Sequence, residues 1–144
     1  KCYMADTGLL ISHTFDEKQL VSNELYRKLL MDKLEVNAGM LIENVVAQML
    51  AAAGHKLYFY SNADNKDAEN RMEIDFLIRK DVVTSRHNII PIEAKSSSGY
   101  TTHSLNKCVR KFGEYVTQPT VIHPSDYKED DGKRYLPLYM TPLL

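Results

Sequence analysis

Two apolar segments in the middle of the chain constrain the fold more than any other feature, because each carries acidic residues on a strand-like pattern. Residues 72–79 (MEIDFLIR) alternate with a period of two, which is typical of a β-strand. Residues 88–95 (NIIPIEAK) predict a second strand, in which Glu93 and Lys95 share one face. If the two strands pair, Asp75 lies within hairpin distance of Glu93 and Lys95, and three ionisable groups converge on one face of a sheet.

The same alternation predicts the apolar faces of both strands. In the first strand it separates Met72, Ile74, Phe76 and Ile78 from Glu73, Asp75 and Leu77. In the second it separates Ile90, Ile92 and Ala94 from Ile89, Pro91, Glu93 and Lys95. Because proline cannot donate a ladder hydrogen bond, Pro91 indicates an edge position or an irregularity in that strand.

Helical periodicity flanks this strand region on both sides. Helices are predicted at about residues 14–34, 36–53 and 102–116, with further strands at 56–61, 120–123 and about 135–139. Residues 1–11 are predicted to be extended, the second helix to end at Gly54, and Asp131–Gly132 to form a turn in a charged loop. The order ααβββαββ predicts an α/β fold with a mixed central sheet of about five strands flanked by helices.

Length and composition describe one ordinary globular domain. The chain has 144 residues, of which 44% are hydrophobic and 26% charged, so disordered and low-complexity classes are excluded. We expect a single domain over residues 1–144, with an N-terminal segment and helix at 1–35 and the core at 36–144. The formal net charge of −1 excludes binding of nucleic acid through bulk positive charge, so any such contact requires a local patch.

Cellular context follows from what the sequence lacks. Apolar runs such as residues 45–53 are far shorter than the ~20 residues of a membrane-spanning helix, so no membrane association is expected. The two cysteines are far apart and predict free thiols in the cytoplasm. The chain begins at Lys1 without an initiator Met or a leader, so we expect a fragment of a longer protein. Glycine-rich phosphate loops are missing, so this fragment is not expected to bind a nucleotide.

The acidic residues on the two strands indicate a cation site. A charge among Ile, Phe and Leu side chains costs several kcal/mol unless it is paired or binds a metal. Because Lys95 offsets only one of the charges on Asp75 and Glu93, a divalent cation would offset the excess, and oxygen ligands favour Mg²⁺ or Mn²⁺. The alternative interpretation is a buried ion-pair cluster in which Lys95 bridges the two carboxylates.

Glu43 is a further acidic residue in an apolar setting. It lies on the apolar second helix, where Val46, Ala47 and Leu50 follow at i+3, i+4 and i+7 on the same face. Its carboxylate is therefore directed at packed structure, which adds Glu43 to the candidate site.

In this arrangement the residues resemble the PD-(D/E)xK nuclease superfamily, which has an αβββαβ restriction-endonuclease-like core. Over nearly the whole chain they also resemble the uncharacterised C-terminal domain that follows an AAA-type ATPase module in many bacterial and archaeal proteins. The resembling segments are residues 1–10 (KCYMADTGLL), Gly39-x-Leu41-x-Glu43-Asn44, 73–78 (EIDFLI), 92–95 (IEAK) and 135–139 (YLPLY). Ile74 stands where the superfamily pattern has proline.

The resemblance implies metal-dependent hydrolysis of phosphodiester bonds. Asp75, Glu93 and the backbone carbonyl of Ala94 would hold Mg²⁺ or Mn²⁺. Lys95 would position or activate the attacking water and offset charge in the transition state. Glu43 would orient a water or help to hold a second ion. The resemblance also implies an AAA-type ATPase module in cis as a partner, within an ATP-binding full-length protein.

Two classes of function stay open at this point. The first is a metal-dependent nuclease module acting on DNA or RNA, and the second is a non-catalytic nucleic-acid-binding, regulatory or protein-interaction module of the ATPase. For nucleic acid, Lys107, Arg110 and Lys111 on one helix face would contact phosphates. The alternative interpretation of these three residues is a solvated helix face.

Overall fold

A computed structural model describes residues 1–16, 37–63, 67–80 and 86–144. The helices are α1 (Thr7–Asp16), α2 (Ala38–Ala52) and α3 (His103–Phe112), and a 3-10 helix covers Leu138–Leu143. The strands are β1 (Tyr58–Asn62), β2 (Met72–Arg79), β3 (Ile89–Ala94), β4 (Thr120–His123), β5 (Lys128–Asp130) and β6 (Lys133–Pro137). None of the helices in the described ranges is long and apolar enough to cross a membrane.

The strands form one mixed sheet in the order β1-β2-β3-β4-β6-β5. Strands β1, β2 and β3 pair antiparallel, β3, β4 and β6 pair parallel, and β5 returns antiparallel to β6. The crossover from β3 to β4 contains α3, as parallel neighbours require. The α/β class with a mixed sheet is therefore confirmed, with six strands in place of about five.

The additional strand, β5, occupies a segment that was predicted to be a charged loop. The predicted turn is correct, since Asp131 and Gly132 have φ of 49° and 70° and connect β5 to β6. Positive φ at both central residues is the geometry of a tight hairpin turn whose twist matches that of the flanking strands. The turn therefore pairs the charged segment Lys128–Asp130 with β6, although its side chains are exposed.

Apolar side chains form one cluster on each face of the sheet. The α2 side contains Val46, Ala47, Leu50, Phe76, Ile78, Ile90, Ile92 and Ile122. The α3 side contains Met72, Ile74, Leu105, Cys108, Val121 and Tyr135. Burial on both faces explains the continuous apolar run at residues 89–92 of β3.

Strand β2 changes face partway along its length, which corrects the predicted alternation. Met72 and Ile74 belong to the α3-side cluster, whereas Phe76 and Ile78 belong to the α2-side cluster. The cause is a register shift against β1, where Tyr58 pairs with Leu77 but Tyr60 pairs with Ile74. This one-residue β-bulge around Asp75 breaks the period of two and turns the strand.

The N-terminal prediction is wrong in part. Residues 7–11, predicted to be extended, lie in α1, because Asp6 caps that helix: its Oδ1 accepts a hydrogen bond from Leu9 N at 3.0 Å. The predicted helix at about 14–34 overlaps α1 only at its start and otherwise lies outside the described residues. The prediction for the second helix is confirmed in α2, which Asn37 caps through Met40 N and which Gly54 ends with φ of 92°.

Pro91 lies in an interior strand, so the prediction of an edge position is wrong. Ile89 N and Lys95 N donate towards the β4 side, to Tyr115 O and Ile122 O. The nitrogen of Pro91, two residues from Ile89, faces the same side, but the β3–β4 pairing begins only at Ile92. The missing N–H of Pro91 therefore removes no ladder hydrogen bond.

Candidate functional site

Three carboxylates surround the ammonium group of Lys1. Lys1 Nζ lies 2.6 Å from Asp75 Oδ1, 3.1 Å from Glu73 Oε1 and 3.2 Å from Glu43 Oε2. Burial alone would lower the pKa of Lys1, but the hydrogen bond and charge of Asp75, with those of Glu73 and Glu43, raise this pKa above its usual value. The structure thus brings Glu43 and Asp75 together through a lysine that the sequence did not indicate.

The N-terminal strap, residues 1–7, holds Lys1 in this position by lying along α2. Asn44 is buried and accepts a hydrogen bond from Met4 N at 2.8 Å, while its amide donates to Met4 O at 3.1 Å and to Thr7 Oγ1 at 2.9 Å. One turn later Gln48 Nε2 donates to Ala5 O. Asn44 and Gln48 are one turn apart on α2, and Glu43 is next to Asn44. This helix therefore binds the strap and also supplies one of the carboxylates that contact Lys1.

Tyr3 adds an aromatic contact to the strap. Its ring lies 5.3 Å, between centroids, from that of Phe76 in the α2-side cluster, and its hydroxyl donates to Glu43 Oε2 at 3.3 Å. Tyr3 therefore connects the apolar core to the carboxylate that Lys1 contacts.

Glu93 and Lys95 form a second charged group, on the α3 side of the sheet. Glu93 is only 2% exposed, and its Oε1 accepts a hydrogen bond from Leu105 N at 2.8 Å, near the start of α3. Its Oε2 lies 2.9 Å from Lys95 Nζ. Burial raises the pKa of Glu93, the bond and charge of Lys95 oppose this increase, and the charge of Asp75 adds to it.

Asp75 lies between these two groups. The pairing of Phe76 with Ile92, continued by one residue, places Asp75 beside Glu93. The second carboxylate oxygen of Asp75, Oδ2, accepts a hydrogen bond from Ala94 N at 3.0 Å. The β-bulge thus directs one oxygen of Asp75 to β3 and the other to Lys1, and its charge acts on Glu93.

The donor atoms here suit a hard divalent cation. Carboxylates of Asp75, Glu93 and Glu43 and the carbonyl of Ala94 offer oxygen atoms alone, which favours Mg²⁺ or Mn²⁺ over softer metals. Glu93 Oε2 is buried and lies 2.9 Å from Lys95 Nζ, so a cation at this oxygen would share it with the lysine. Within the described ranges no three Asp, Glu, His or Cys side chains are already arranged to hold a metal ion. The chemistry of the set fits such a cation, while Lys1 and Lys95 now supply its positive charge.

The three basic residues predicted to contact nucleic acid lie together on α3 and contact the loop before β2. Lys107 Nζ donates to the carbonyls of Ala68 and Arg71, at 2.6 and 3.1 Å. Arg110 pairs with Glu69 at 2.8 Å, and Lys111 Nζ donates to Asn70 Oδ1. All three therefore attach α3 to residues 68–71.

A buried histidine lies next to the Glu93–Lys95 pair. His123 ends β4 beside the end of β3, and its Nδ1 lies 2.9 Å from Tyr100 OH. Its Nε2 lies 3.1 Å from Asp126 O, which can only accept, so Nε2 donates and Nδ1 accepts from the tyrosine. Tyr100 belongs to the connection between Lys95 and α3, and the bond fixes that connection against β4.

Sequence reasoning missed Lys1, Tyr3 and Glu73. Glu73 carried a usable signal, because it lies two residues before Asp75 on the same strand. Lys1 and Tyr3 lie in the segment 1–10 that carries the resemblance, but an extended segment has no periodicity that shows which helix it contacts.

Comparison with known proteins places most of this chain in one family. The sequence model of a family described as a domain of unknown function (DUF4143) matches residues 38–141. That range includes Glu43, Asp75, Glu93 and Lys95, but not the strap. No curated protein and no solved structure matches the chain.

Proposed function

Because the chain belongs to the family described as a domain of unknown function (DUF4143), which carries no stated activity, we propose a function from the site itself: metal-dependent hydrolysis of phosphodiester bonds. The module would be C-terminal to an AAA-type ATPase in the cytoplasm and would act on DNA or RNA. The order α2-β1-β2-β3-α3-β4 supports a restriction-endonuclease-like αβββαβ core.

One observation carries this proposal. Glu93 is buried, its Oε2 lies 2.9 Å from Lys95 Nζ, and a β-bulge directs Asp75 to the adjacent position. A bulge is a common way of aiming a side chain next to an active site. Desolvated carboxylates beside a lysine are costly for stability alone, which favours a chemical role.

The residues of the chain would divide the work as follows. Asp75, Glu93 and the carbonyl of Ala94 would hold Mg²⁺ or Mn²⁺, with Glu43 as a further ligand or as the group that orients a water. The cation, when bound, would polarise the scissile phosphate and lower the pKa of a water. Lys95 would position or activate the attacking water and offset charge developing on the phosphate. The bonds from Leu105 N to Glu93 and from Ala94 N to Asp75 keep both carboxylates oriented.

Cleavage assays test the proposal. We expect the wild type to cut DNA or RNA with Mg²⁺ or Mn²⁺, and Asp75→Ala and Lys95→Ala each to lower the rate roughly 10²–10⁴-fold. Lys56→Ala, at an exposed lysine between α2 and β1, is the matched control and should cut like the wild type. Mg²⁺ should also raise the melting temperature of the wild type but not of Asp75→Ala. Cleavage that survives both site substitutions would come from another site or a contaminant.

A second function, a non-catalytic binding or regulatory module of the ATPase, is favoured by a different observation. Lys1 and Lys95 already pair with the four carboxylates of the site. Nucleic acid bound without cleavage, together with a melting temperature that does not respond to Mg²⁺ or Mn²⁺, would support this function over the first.

A further inference from the structure

The strap and the candidate cation site share two carboxylates. Asp75 Oδ1 and Glu43 Oε2 contact Lys1 Nζ at 2.6 and 3.2 Å, and both residues belong to the proposed ligand set. An ammonium and a divalent cation cannot occupy the same side of these oxygens, because their charges repel and their contact distances overlap.

We propose that the strap is an internal competitor of the cation: Lys1 blocks the site while residues 1–7 lie on α2, and the site binds a divalent cation when Lys1 leaves. This inference rests on the proposed function, because it takes Asp75 and Glu43 as ligands. It adds a control element, residues 1–7, that lies outside the range matched by the family model.

The geometry allows Lys1 to leave without unfolding the core. Its side chain borders a cleft of about 250 Å³, which Cys2, Leu10 and Met40 also line. The ammonium can move into this cleft while the ring of Tyr3 stays on Phe76. The strap itself is held by polar contacts to Asn44 and Gln48, and such contacts exchange for water at small net cost.

Titration calorimetry with Mn²⁺ on the full 144-residue chain tests the competition. Lys1→Met removes the competing charge and should bind Mn²⁺ roughly tenfold more tightly than the wild type, because binding no longer breaks charged contacts of Lys1 worth up to about 1 kcal/mol each. Lys1→Arg keeps the charge and should bind like the wild type. Lys56→Met removes a lysine elsewhere and should also leave the affinity unchanged.

Movement of the strap has its own readout in Cys2, which is exposed and follows Lys1 directly. Mg²⁺ should change the rate at which a thiol reagent modifies Cys2 in the wild type, because Cys2 borders the cleft into which the Lys1 side chain moves. In Lys1→Met this rate should no longer respond to Mg²⁺. The measurement needs no enzymatic activity, so it separates movement of the strap from catalysis.

The outcomes distinguish the two proposals. Equal Mn²⁺ affinity in the wild type and Lys1→Met would overturn the competition and leave the cation site intact. Failure of every variant to bind Mn²⁺ would overturn the cation site as well, and with it the proposed function. If Lys1→Met does not fold, Gln48→Ala is the alternative variant, because it weakens the attachment of the strap while keeping all charges. Gln48→Ala should bind Mn²⁺ more tightly than the wild type. Unchanged affinity in this variant would count against the competition.

Discussion

The electrostatics of this site depend on which lysine each carboxylate pairs with. Three carboxylates from α2 and β2 share the ammonium of Lys1, whereas Glu93 pairs with Lys95. A shared counter-ion leaves net negative charge near Asp75, and this charge adds to the effect of burial on the pKa of Glu93. Two lysines therefore determine how strongly the carboxylates attract a further cation.

The two cysteines should differ sharply in reactivity. Burial, together with the charge of Glu93, raises the pKa of Cys108 to about 11, whereas Cys2 is exposed. Since thiolate is the reactive form, a raised pKa leaves only about one Cys108 in a thousand ionised at pH 8. We expect a disulfide reagent at pH 8 to modify one thiol quickly and the second slowly, until unfolding in urea makes both react quickly.

Cys2→Ser is the control for this prediction, because it should abolish the fast phase and leave the slow one. The slow phase should accelerate as the pH rises towards 11, since the thiolate fraction of Cys108 grows. Two thiols reacting at equal rates in the folded wild type would contradict the burial of Cys108 on the α3 side.

At the level of elements, the strongly patterned segments were predictable from the sequence. Strand β2 was predicted at residues 72–79 and is observed at Met72–Arg79, and β4 likewise agrees at both ends. Helix α2 was recognised by its apolar circumference and its terminal Gly54. Glu93 and Lys95 were placed on one face by the two-residue period, and their ion pair agrees with that placement.

The features of the fold and site that the sequence pattern did not predict depend on pairing between distant segments. The bulge in β2 exists only relative to β1, so the alternation within 72–79 predicted one apolar face where there are two. Lys1 reaches the site through bonds between the strap and α2, some forty residues away in sequence. Strand β5 is charged and exposed, and only its turn to β6 makes it a strand.

The end of α2 supports a stability prediction at Gly54. This glycine has φ of 92°, its N–H donates to Ala51 O, and His55 N donates to Leu50 O, both at 3.0 Å. A Cβ at Gly54 would meet no atom, so the cost of alanine is conformational. We expect Gly54→Ala to lower the free energy of unfolding by about 1 kcal/mol, measured by urea denaturation.

Gly99 provides the matched control, because it too has open space around its Cα but does not have a left-handed φ. Gly99→Ala should therefore leave stability unchanged or raise it by up to about 1 kcal/mol, through loss of freedom in the unfolded chain. An equal loss at both glycines would show that the φ of Gly54 is not the cause.

On the scale of the whole molecule, the sheet separates two helix layers, and the site lies where both meet. Glu43 comes from α2 on one side, Glu93 is oriented by α3 on the other, and Asp75 lies between them on β2. The net charge of −1 conceals this concentration of acidic groups, since basic residues elsewhere balance the total. Overall charge was therefore a poor guide to local chemistry.

The change of face within β2 also has a consequence for how the molecule unfolds. One continuous strand supplies Ile74 to the α3-side cluster and Ile78 to the α2-side cluster, and both side chains are fully buried. Neither layer can lose its packing without removing a strand from the other. We expect a single cooperative transition, in which Ile74→Val and Ile78→Val each lower the free energy of unfolding by about 1 kcal/mol.

Amide hydrogen exchange measures whether the two layers open together. In the wild type, the slowest amides of α2 and of α3 should have the same opening free energy. In either variant, this free energy should fall by the same amount in both helices. Separate reductions, confined to the helix on the substituted side, would mean that the layers open independently. With one opening event, any ligand that bound at the carboxylates on either face would stabilise both layers. The irregularity at Asp75 would then couple occupancy of the proposed site to the stability of both layers.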